Sequence, residues 1–230
     1  MSHRVRRLAS VAALSIAVAG VSALAASPAN AGTSAPLQPA PASTSVLISQ
    51  VSTQGPAGIM DEFIELQNVQ STPLNISGYS IWACSGTGQQ TILATVPAGT
   101  VLQGTESEPG AENGRFYLLA NANYSRAVPP DQTYTGDVQR QGGVLLRAAP
   151  TPSSPLGARV DSVGFTRFNP CTETAPAPAQ TGFADQSVIR FFGVDTNVNA
   201  FDFTMIAPSF PRNSTFTSPF PSTFHSTRVG

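Results

Sequence analysis

Lysine is absent from this 230-residue chain, and histidine is nearly so. A serine triad or a histidine-based zinc site needs an ordered imidazole. His3 lies among the first residues, and His225 lies in a terminal segment rich in Ser, Thr, Phe and Pro. The patterns Gly-x-Ser-x-Gly and His-Glu-x-x-His are missing as well. These absences predict a protein that is not an enzyme.

Positive charge is scarce in the rest of the chain. Once the three N-terminal arginines are set aside, nine arginines face thirteen carboxylates, which gives a net charge of −4. Binding to a phosphate backbone depends on clustered positive charge. A nucleic acid is therefore not expected as a partner.

The first thirty-one residues have the pattern of a secretory signal peptide. Arg4, Arg6 and Arg7 precede an apolar run over residues 8–26, and residues 29–31 (Ala-Asn-Ala) form a small-x-small cleavage site. A retained membrane anchor is the alternative to cleavage. The paired arginines leave twin-arginine export open beside the general route. We predict a secreted or cell-surface protein without a membrane span after signal removal.

Cysteine is limited to Cys84 and Cys171. An even count in an exported chain predicts one disulfide, because exported proteins fold in oxidising surroundings. Two unpaired buried thiols are the alternative.

A helical repeat over three turns is missing from the whole chain. Short strand-like runs alternate instead with turns rich in Gly and Pro, which predicts an all-β sandwich or barrel. We expect a Pro/Ala/Ser linker over 32–45, a folded domain over 46–213 and a disordered tail over 214–230. The strand-like runs are 46–51, 61–68, 79–84, 91–96, 115–121, 143–148, 158–165 and 187–192.

Eight motifs follow one another within these runs. They are DEFIELQN (61–68), PLNISGYSIW (73–82), VPAGTVLQ (96–103), GRFYLLANANY (114–124), GGVLLR (142–147), RVDSVGF (159–165), SVIRFFGVDTNVNAFDF (187–203) and PSFPRN (208–213). In this order they resemble the lamin tail domain family in its secreted bacterial form. The resemblance implies an immunoglobulin-like β-sandwich. It also matches Cys84 and Cys171 to a cysteine pair that secreted members often carry, and it assigns structural positions to Asp61, Phe63, Glu65, Leu66, Asn68, Gly78, Trp82 and Asp161.

The resemblance implies a non-catalytic interaction module that attaches to a cell-surface or extracellular protein or to a cell-wall polymer. Loops of a sandwich are its natural binding surface, here residues 85–90, 104–114, 122–141 and 166–182. A structural component of the envelope or matrix is the alternative. An auxiliary nucleic-acid-binding or hydrolase-associated module is a further one.

The segment GVDTNVNAFDF (193–203) places short polar side chains at alternate positions and adds one more carboxylate: Asp195, Asn197, Asn199 and Asp202. The first three match positions one, three and five of an EF-hand loop. The sixth position is Ala200 instead of Gly, and the twelfth is Ile206 instead of Glu. Short Asx side chains also bond to neighbouring backbone in turns. We predict such a turn and no cofactor, with calcium as the alternative.

The strand-like run at 61–68 carries carboxylates on both faces. Asp61 and Glu65 share one face and Glu62 lies on the other. This pattern suits a strand near a sheet edge or buried carboxylates with polar partners. Trp82, the only tryptophan, is two residues from Cys84, so we expect it to pack beside the disulfide, with a ligand platform as the alternative.

Overall fold

The computed structural model describes residues 41–104 and 114–217. The signal peptide predicted over 1–31 lies outside the described residues, as do most of the linker and residues 218–230 of the expected tail. Within the described ranges, no helix has the length and apolar character that crossing a bilayer requires.

The described residues form twelve strands and one short helix. The strands are β1 (Val46–Ser52), β2 (Phe63–Asn68), β3 (Leu74–Asn75), β4 (Ser80–Cys84), β5 (Gln90–Thr95), β6 (Val101–Leu102), β7 (Phe116–Asn121), β8 (Gln132–Tyr134), β9 (Gly143–Arg147), β10 (Arg159–Gly164), β11 (Ser187–Arg190) and β12 (Phe203–Ile206), and the helix α1 is Asn199–Asp202.

Two sheets dominate the architecture. The larger has the order β12-β11-β1-β2-β7-β8, and the smaller has the order β10-β9-β4-β5. Neighbouring strands are antiparallel except β7 and β8, which are parallel. Strands β3 and β6 form a separate two-stranded ladder.

The core lies between the two sheets. Ile48 and Ile64 of the larger sheet belong to the same buried cluster as Ile81 and Val144 of the smaller sheet. All four side chains are fully buried. Alternation along the strands therefore turns one face of each sheet toward the other, as in a β-sandwich. The all-β sandwich expected from the sequence is confirmed.

Each of the eight strand-like runs contains a strand. The run at 187–192 is shorter than predicted, because β11 ends at Arg190 and the two phenylalanines that follow lie outside it. Four strands fall outside the predicted runs: β3, β6, β8, which lies inside the predicted loop 122–141, and β12. The segment expected to be a disordered tail begins with described residues: Ser214 donates to Asp131, and the Phe216 ring contacts Phe116 edge to face.

Cys84 and Cys171 form a disulfide with a Cα–Cα distance of 6.1 Å. It joins the end of β4 to the loop that follows β10. Both cysteines are fully buried with Leu145, and Trp82 packs against this cluster. The Trp82 indole N–H donates to Ser80 Oγ at 2.8 Å, so the tryptophan belongs to the outer layer of the smaller sheet.

Replacing both cysteines by serine should lower the free energy of unfolding. The two residues are 87 positions apart, and chain-entropy arguments give about 4–5 kcal/mol for a loop of that length. Urea unfolding of the double variant and of the oxidised wild type measures the difference. The wild type treated with reductant is the matched control and should behave like the variant. Equal midpoints for all three would contradict a stabilising disulfide.

Candidate functional site

The centre of the candidate site is the guanidinium of Arg190, the last residue of β11. Its side chain is fully buried. Nη2 donates to both carboxylate oxygens of Asp161 at 2.7 and 2.8 Å, and Nη1 donates to Asp202 at 2.8 Å. Asp195 lies 3.5 Å from Nη1. Nε donates to the carbonyl of Ile48 at 3.0 Å. One cation therefore connects β1, β10, β11 and the segment that precedes β12.

Charge in this cluster is unevenly balanced. Burial acts to lower the pKa of Arg190, but the carboxylates of Asp161, Asp195 and Asp202 outweigh it and raise that pKa. Burial raises the pKa of Asp161 to about 6 against the opposing charge of Arg190. Burial, followed by the negative charges of Asp161 and Asp195, raises the pKa of Glu173 to about 8. Glu173 is therefore largely protonated near neutral pH.

Three of the four residues named as alternative calcium ligands have side chains with different partners. Asp195 and Asp202 both face Arg190. The Asn199 side chain turns elsewhere, because its Oδ1 accepts the N–H groups of Gly164 and Glu173 at 3.0 and 2.9 Å. Within the described residues, the cation beside the two aspartates is Arg190. Calcium binding stays a hypothesis from the sequence.

The hydrogen bonds of residues 195–202 have the pattern of a turn held by its own side chains. The N–H of Asn197, which has φ of 56°, donates to Asp195 Oδ1 at 2.9 Å. The hydroxyl and N–H of Thr196 both donate to Asp202. The N–H of Ser43 donates to Asp195 Oδ2 at 2.6 Å, so the start of the described chain is tied to the same turn.

One further carboxylate grouping lies in the same region. Oxygen atoms of Asp161, Glu173 and Asp195 lie within 4.8 Å of one another, and all three residues are buried. Arg190 contacts two of them, and Glu173 accepts from Ser162 Oγ and Asn199 Nδ2. The hydrogen bonds from Arg190, Ser162 and Asn199 explain how the three carboxyl groups can lie so close together.

Above this buried cluster lies a group of exposed apolar side chains, which we call the aromatic patch: Phe191, Phe192, Val194 and Phe201. Phe192 is 95% exposed and Phe201 is 77% exposed. The rings of Phe191 and Phe192 stack with centroids 5.9 Å apart. With Thr196 and Asp202, the patch lines an open depression of about 390 Å³. The run at 187–192 was predicted as strand, so sequence reasoning missed these residues as a surface feature.

The backbone at Phe192 is unusual for a bulky residue. Its φ is 54°, in the left-handed region, where a residue with a Cβ carries a cost of roughly 1–2 kcal/mol. Gly193 follows with φ of 61°. This conformation turns the chain away from the sheet directly after Arg190. Strained backbone beneath an exposed apolar side chain is a feature that folding alone does not require.

The carboxylates of the segment at 61–68 have polar partners inside the protein. Asp61 accepts from Ser125 and from Arg126 Nη1. Burial acts to raise the pKa of Asp61, but the hydrogen bonds from Ser125 and Ala57 and the charge of Arg126 lower it. Since β2 lies between β1 and β7, the hypothesis of an edge position is wrong and that of satisfied buried carboxylates holds.

Glu65 points to the outer face of the larger sheet. It accepts from Arg212 Nη2 at 2.7 Å and from Ser49 Oγ at 2.6 Å. Burial raises the pKa of Glu65 although Arg212 opposes it. The Arg212 guanidinium also lies 3.8 Å from the centroid of the Phe116 ring. Because a guanidinium combines planar apolar faces with several donors, arginine suits such buried pairs better than lysine.

Glu62 is fully buried on the opposite face. It accepts the N–H of Val138 at 3.0 Å and lies 3.3 Å from the hydroxyl of Tyr134. Burial, followed by the hydrogen bond and charge of Asp137, raises the pKa of Glu62 to about 8 despite the N–H of Val138. The protonated form of Glu62 is therefore favoured near neutral pH.

The remaining family-motif residues have structural environments. Phe63 and Leu66 are fully buried. The side chain of Asn68 donates to the carbonyls of Thr72, Leu102 and Gln103, which connects β2 to the small ladder. Gly78 has φ of 76° in the turn before β4, a conformation that favours glycine.

No protein-family model matches the chain, and no curated protein matches it. Among solved structures, one similar to it is the crystal structure of a DUF4876 family protein from Bacteroides thetaiotaomicron VPI-5482. That structure shares 11% sequence identity with this chain and has a TM-score of 0.48, and the match covers 79% of this chain and 76% of the other.

Replacing Arg190 by methionine should lower the free energy of unfolding by about 3–5 kcal/mol, because three buried carboxylates would lose their cation. Urea unfolding at neutral pH measures the loss. Arg140→Gln, at an exposed arginine, is the matched control and should change the free energy by less than about 0.5 kcal/mol. Adding Asp161→Asn to the methionine variant should recover part of the loss. A methionine variant as stable as the control would contradict this role of Arg190.

Stability should decrease as the pH rises from about 5 to about 8. Glu62 and Glu173 each have a folded-state pKa of about 8 against an ordinary 4.5. The folded state therefore binds more protons than the unfolded state in this window, and that contribution to stability is lost as the pH rises through the folded-state pKa. Glu62→Gln mimics the protonated form and should flatten the decrease. Unfolding curves at several pH values test this, and an unchanged slope in the variant would contradict it.

Proposed function

We propose that the chain is an exported, non-catalytic interaction module that attaches to an extracellular or cell-surface partner through its aromatic patch. Three observations support export and attachment. The first residues have a signal-peptide pattern, the two cysteines are joined as in oxidising compartments, and the ordered motifs resemble the lamin tail domain family of interaction modules.

The exposure of the patch carries the proposal. Isolated apolar side chains are ordinary on protein surfaces, but neighbouring ones around one depression mark interaction sites. Phe192 and Phe201 are 95% and 77% exposed and line the same depression as Phe191 and Val194. Aromatic residues of this kind often contribute most of the binding energy when a partner buries them.

The partner expected here is the apolar segment of a protein. The four side chains of the patch have no polar atom that could bond to the hydroxyl groups of a sugar polymer. Asp202, which also lines the depression, is almost fully buried and engaged by Arg190. A partner would therefore contact hydrocarbon and aromatic surface, which suits apolar side chains of another protein.

The turn beneath the patch is held in place before any partner binds. Asp195 and Asp202 join it to Arg190, and Asn199 joins it to β10 through Gly164. Ordering a flexible loop on binding reduces affinity, whereas a loop that is already ordered avoids that cost. The ionic cluster thus supports the display of the phenylalanines.

Replacing Phe192 by asparagine should reduce retention of the mature chain on cell-envelope proteins by at least about tenfold, as expected when a buried aromatic anchor is lost. Asparagine tolerates positive φ better than other residues with a Cβ, so the fold should be kept. Quantitative pull-down from envelope fractions, with and without prior protease treatment of the fraction, measures retention.

Phe183→Asn is the matched control, because Phe183 is 54% exposed but is not part of the patch. The control should be retained like the wild type. If the difference in retention between wild type and Phe192→Asn survives protease treatment of the fraction, a protein partner is contradicted. Equal retention of both variants would contradict a role of the patch.

A further inference from the structure

A second cavity, of about 440 Å³, opens at the loop that follows β10. Its lining combines two arginines with an exposed phenylalanine, a proline, a buried glutamate and a threonine: Arg159, Arg167, Phe168, Pro170, Glu173 and Thr174. This loop belongs to the predicted binding segment 166–182. The aromatic patch shares none of these residues.

Positive charge is concentrated beside this cavity. Arg159 and Arg147 are directly opposed on β10 and β9, an arrangement that is unfavourable for like charges. Within the described residues, Nε of each makes no hydrogen bond. Among the described residues, Arg147 forms no ion pair with a carboxylate. Arg159 has one carboxylate nearby, that of Glu173, whose Oε1 lies 3.6 Å from Arg159 Nη2. The Nη atoms of both arginines donate to neutral acceptors, Arg159 to Pro170 and Ser162 and Arg147 to Gly157, so the two guanidiniums are hydrogen-bonded but have little opposing charge.

The glutamate in the lining is engaged by donors inside the protein. Glu173 is almost fully buried, and its carboxyl group accepts from Ser162 Oγ and from Asn199 Nδ2. Two arginines therefore stand against one internally bonded glutamate in the lining. The resulting net positive charge attracts an anion.

Arg167 and Phe168 form the exposed edge of the cavity. The Arg167 guanidinium lies 5.7 Å from the centroid of the Phe168 ring, and among the described residues Arg167 has no carboxylate partner. Phe168 has φ of 70° and Thr174 has φ of 56°. Two residues with a Cβ thus adopt the left-handed conformation in one lining, and such strain clusters at binding sites.

We propose that this cavity binds a saccharide that carries a carboxylate. The guanidinium of Arg167 matches the two oxygens of a carboxylate, and Arg159 adds a second charge behind it. The Phe168 ring and Pro170 offer apolar faces for the C–H side of a sugar ring. This site is a second ligand site beside the aromatic patch, and it stands whether or not the patch binds a protein.

The charges favour this ligand over a nucleic acid. A phosphate backbone needs a row of cations along its length, whereas this cavity has two arginines in its lining and the exported part of the chain has a net charge of −4. A single carboxylate, in contrast, needs contact with only one arginine. The cavity has the size of a small-molecule site, for which about 300–1,000 Å³ is usual.

Binding of trigalacturonate by the full exported chain tests the proposal, with its methyl ester as the uncharged control probe. Calorimetric or NMR titration at low salt should detect trigalacturonate and show binding of the ester at least about tenfold weaker, the usual cost of losing a charge-assisted contact. Arg167→Gln should weaken trigalacturonate binding by a similar factor. Phe168→Asn should weaken it about fivefold, in line with the loss of one stacking contact.

Two controls separate this site from the rest of the molecule. Arg140→Gln removes one exposed arginine elsewhere and should change the affinity by less than about twofold, as should Phe192→Asn in the aromatic patch. Equal binding of the acid and its ester, or equal losses for Arg140→Gln and Arg167→Gln, would overturn the proposal. Absence of binding by the wild type would overturn it as well, and neither result bears on the pull-down that tests the patch.

Discussion

The buried guanidinium of Arg190 is the interaction on which the candidate site depends. It bonds to Asp161 on β10, to Asp202 at the end of α1 and to the Ile48 carbonyl on β1, so one side chain connects both sheets to the turn before β12. A buried charge is costly unless it is paired and fully hydrogen-bonded. The three carboxylates satisfy that requirement, and the turn is therefore fixed in one conformation. Phe201 belongs to this turn, and Asn199 of the same turn bonds to the neighbouring Glu173.

Arginine is used in the same way in other parts of the sandwich. Arg126 pairs with Asp61 near the start of β2, and Arg212 pairs with Glu65 on its outer face. These pairs explain how a central strand can carry acidic side chains without an open channel or cleft. They also give a physical reason for the absence of lysine inside the domain, because an ammonium group cannot stack on a ring and bond to a carboxylate in the planar manner of a guanidinium. The exceptions are the arginines beside the second cavity, which have little opposing charge.

Eight of the strands could be predicted from the sequence because runs rich in apolar and β-branched residues lie between turns rich in Gly and Pro. Strands β3 and β6 have two residues each, which is too short for any period to show. The partners of Arg190 could not be predicted, since Asp161 is 29 residues away in the chain and only the sheet topology brings them together. The aromatic patch was missed for a different reason. Two phenylalanines at the end of a strand-like run favour a buried strand, and nothing in the side chain of Phe192 indicates a positive φ. The absence of lysine was the signal that could have directed attention to arginine pairs.

The disulfide has a consequence for resistance to proteolysis. Between Cys84 and Cys171 the chain includes the long connection from β7 to β9. A protease that cuts once anywhere between the two cysteines leaves the two fragments covalently joined. The strands on either side of the cut also remain hydrogen-bonded in their sheets, with β2 held between β1 and β7. A nicked molecule can therefore keep its sandwich, and with it the turn above Arg190, because that turn lies beyond Cys171 and is not separated from its sheet by the cut.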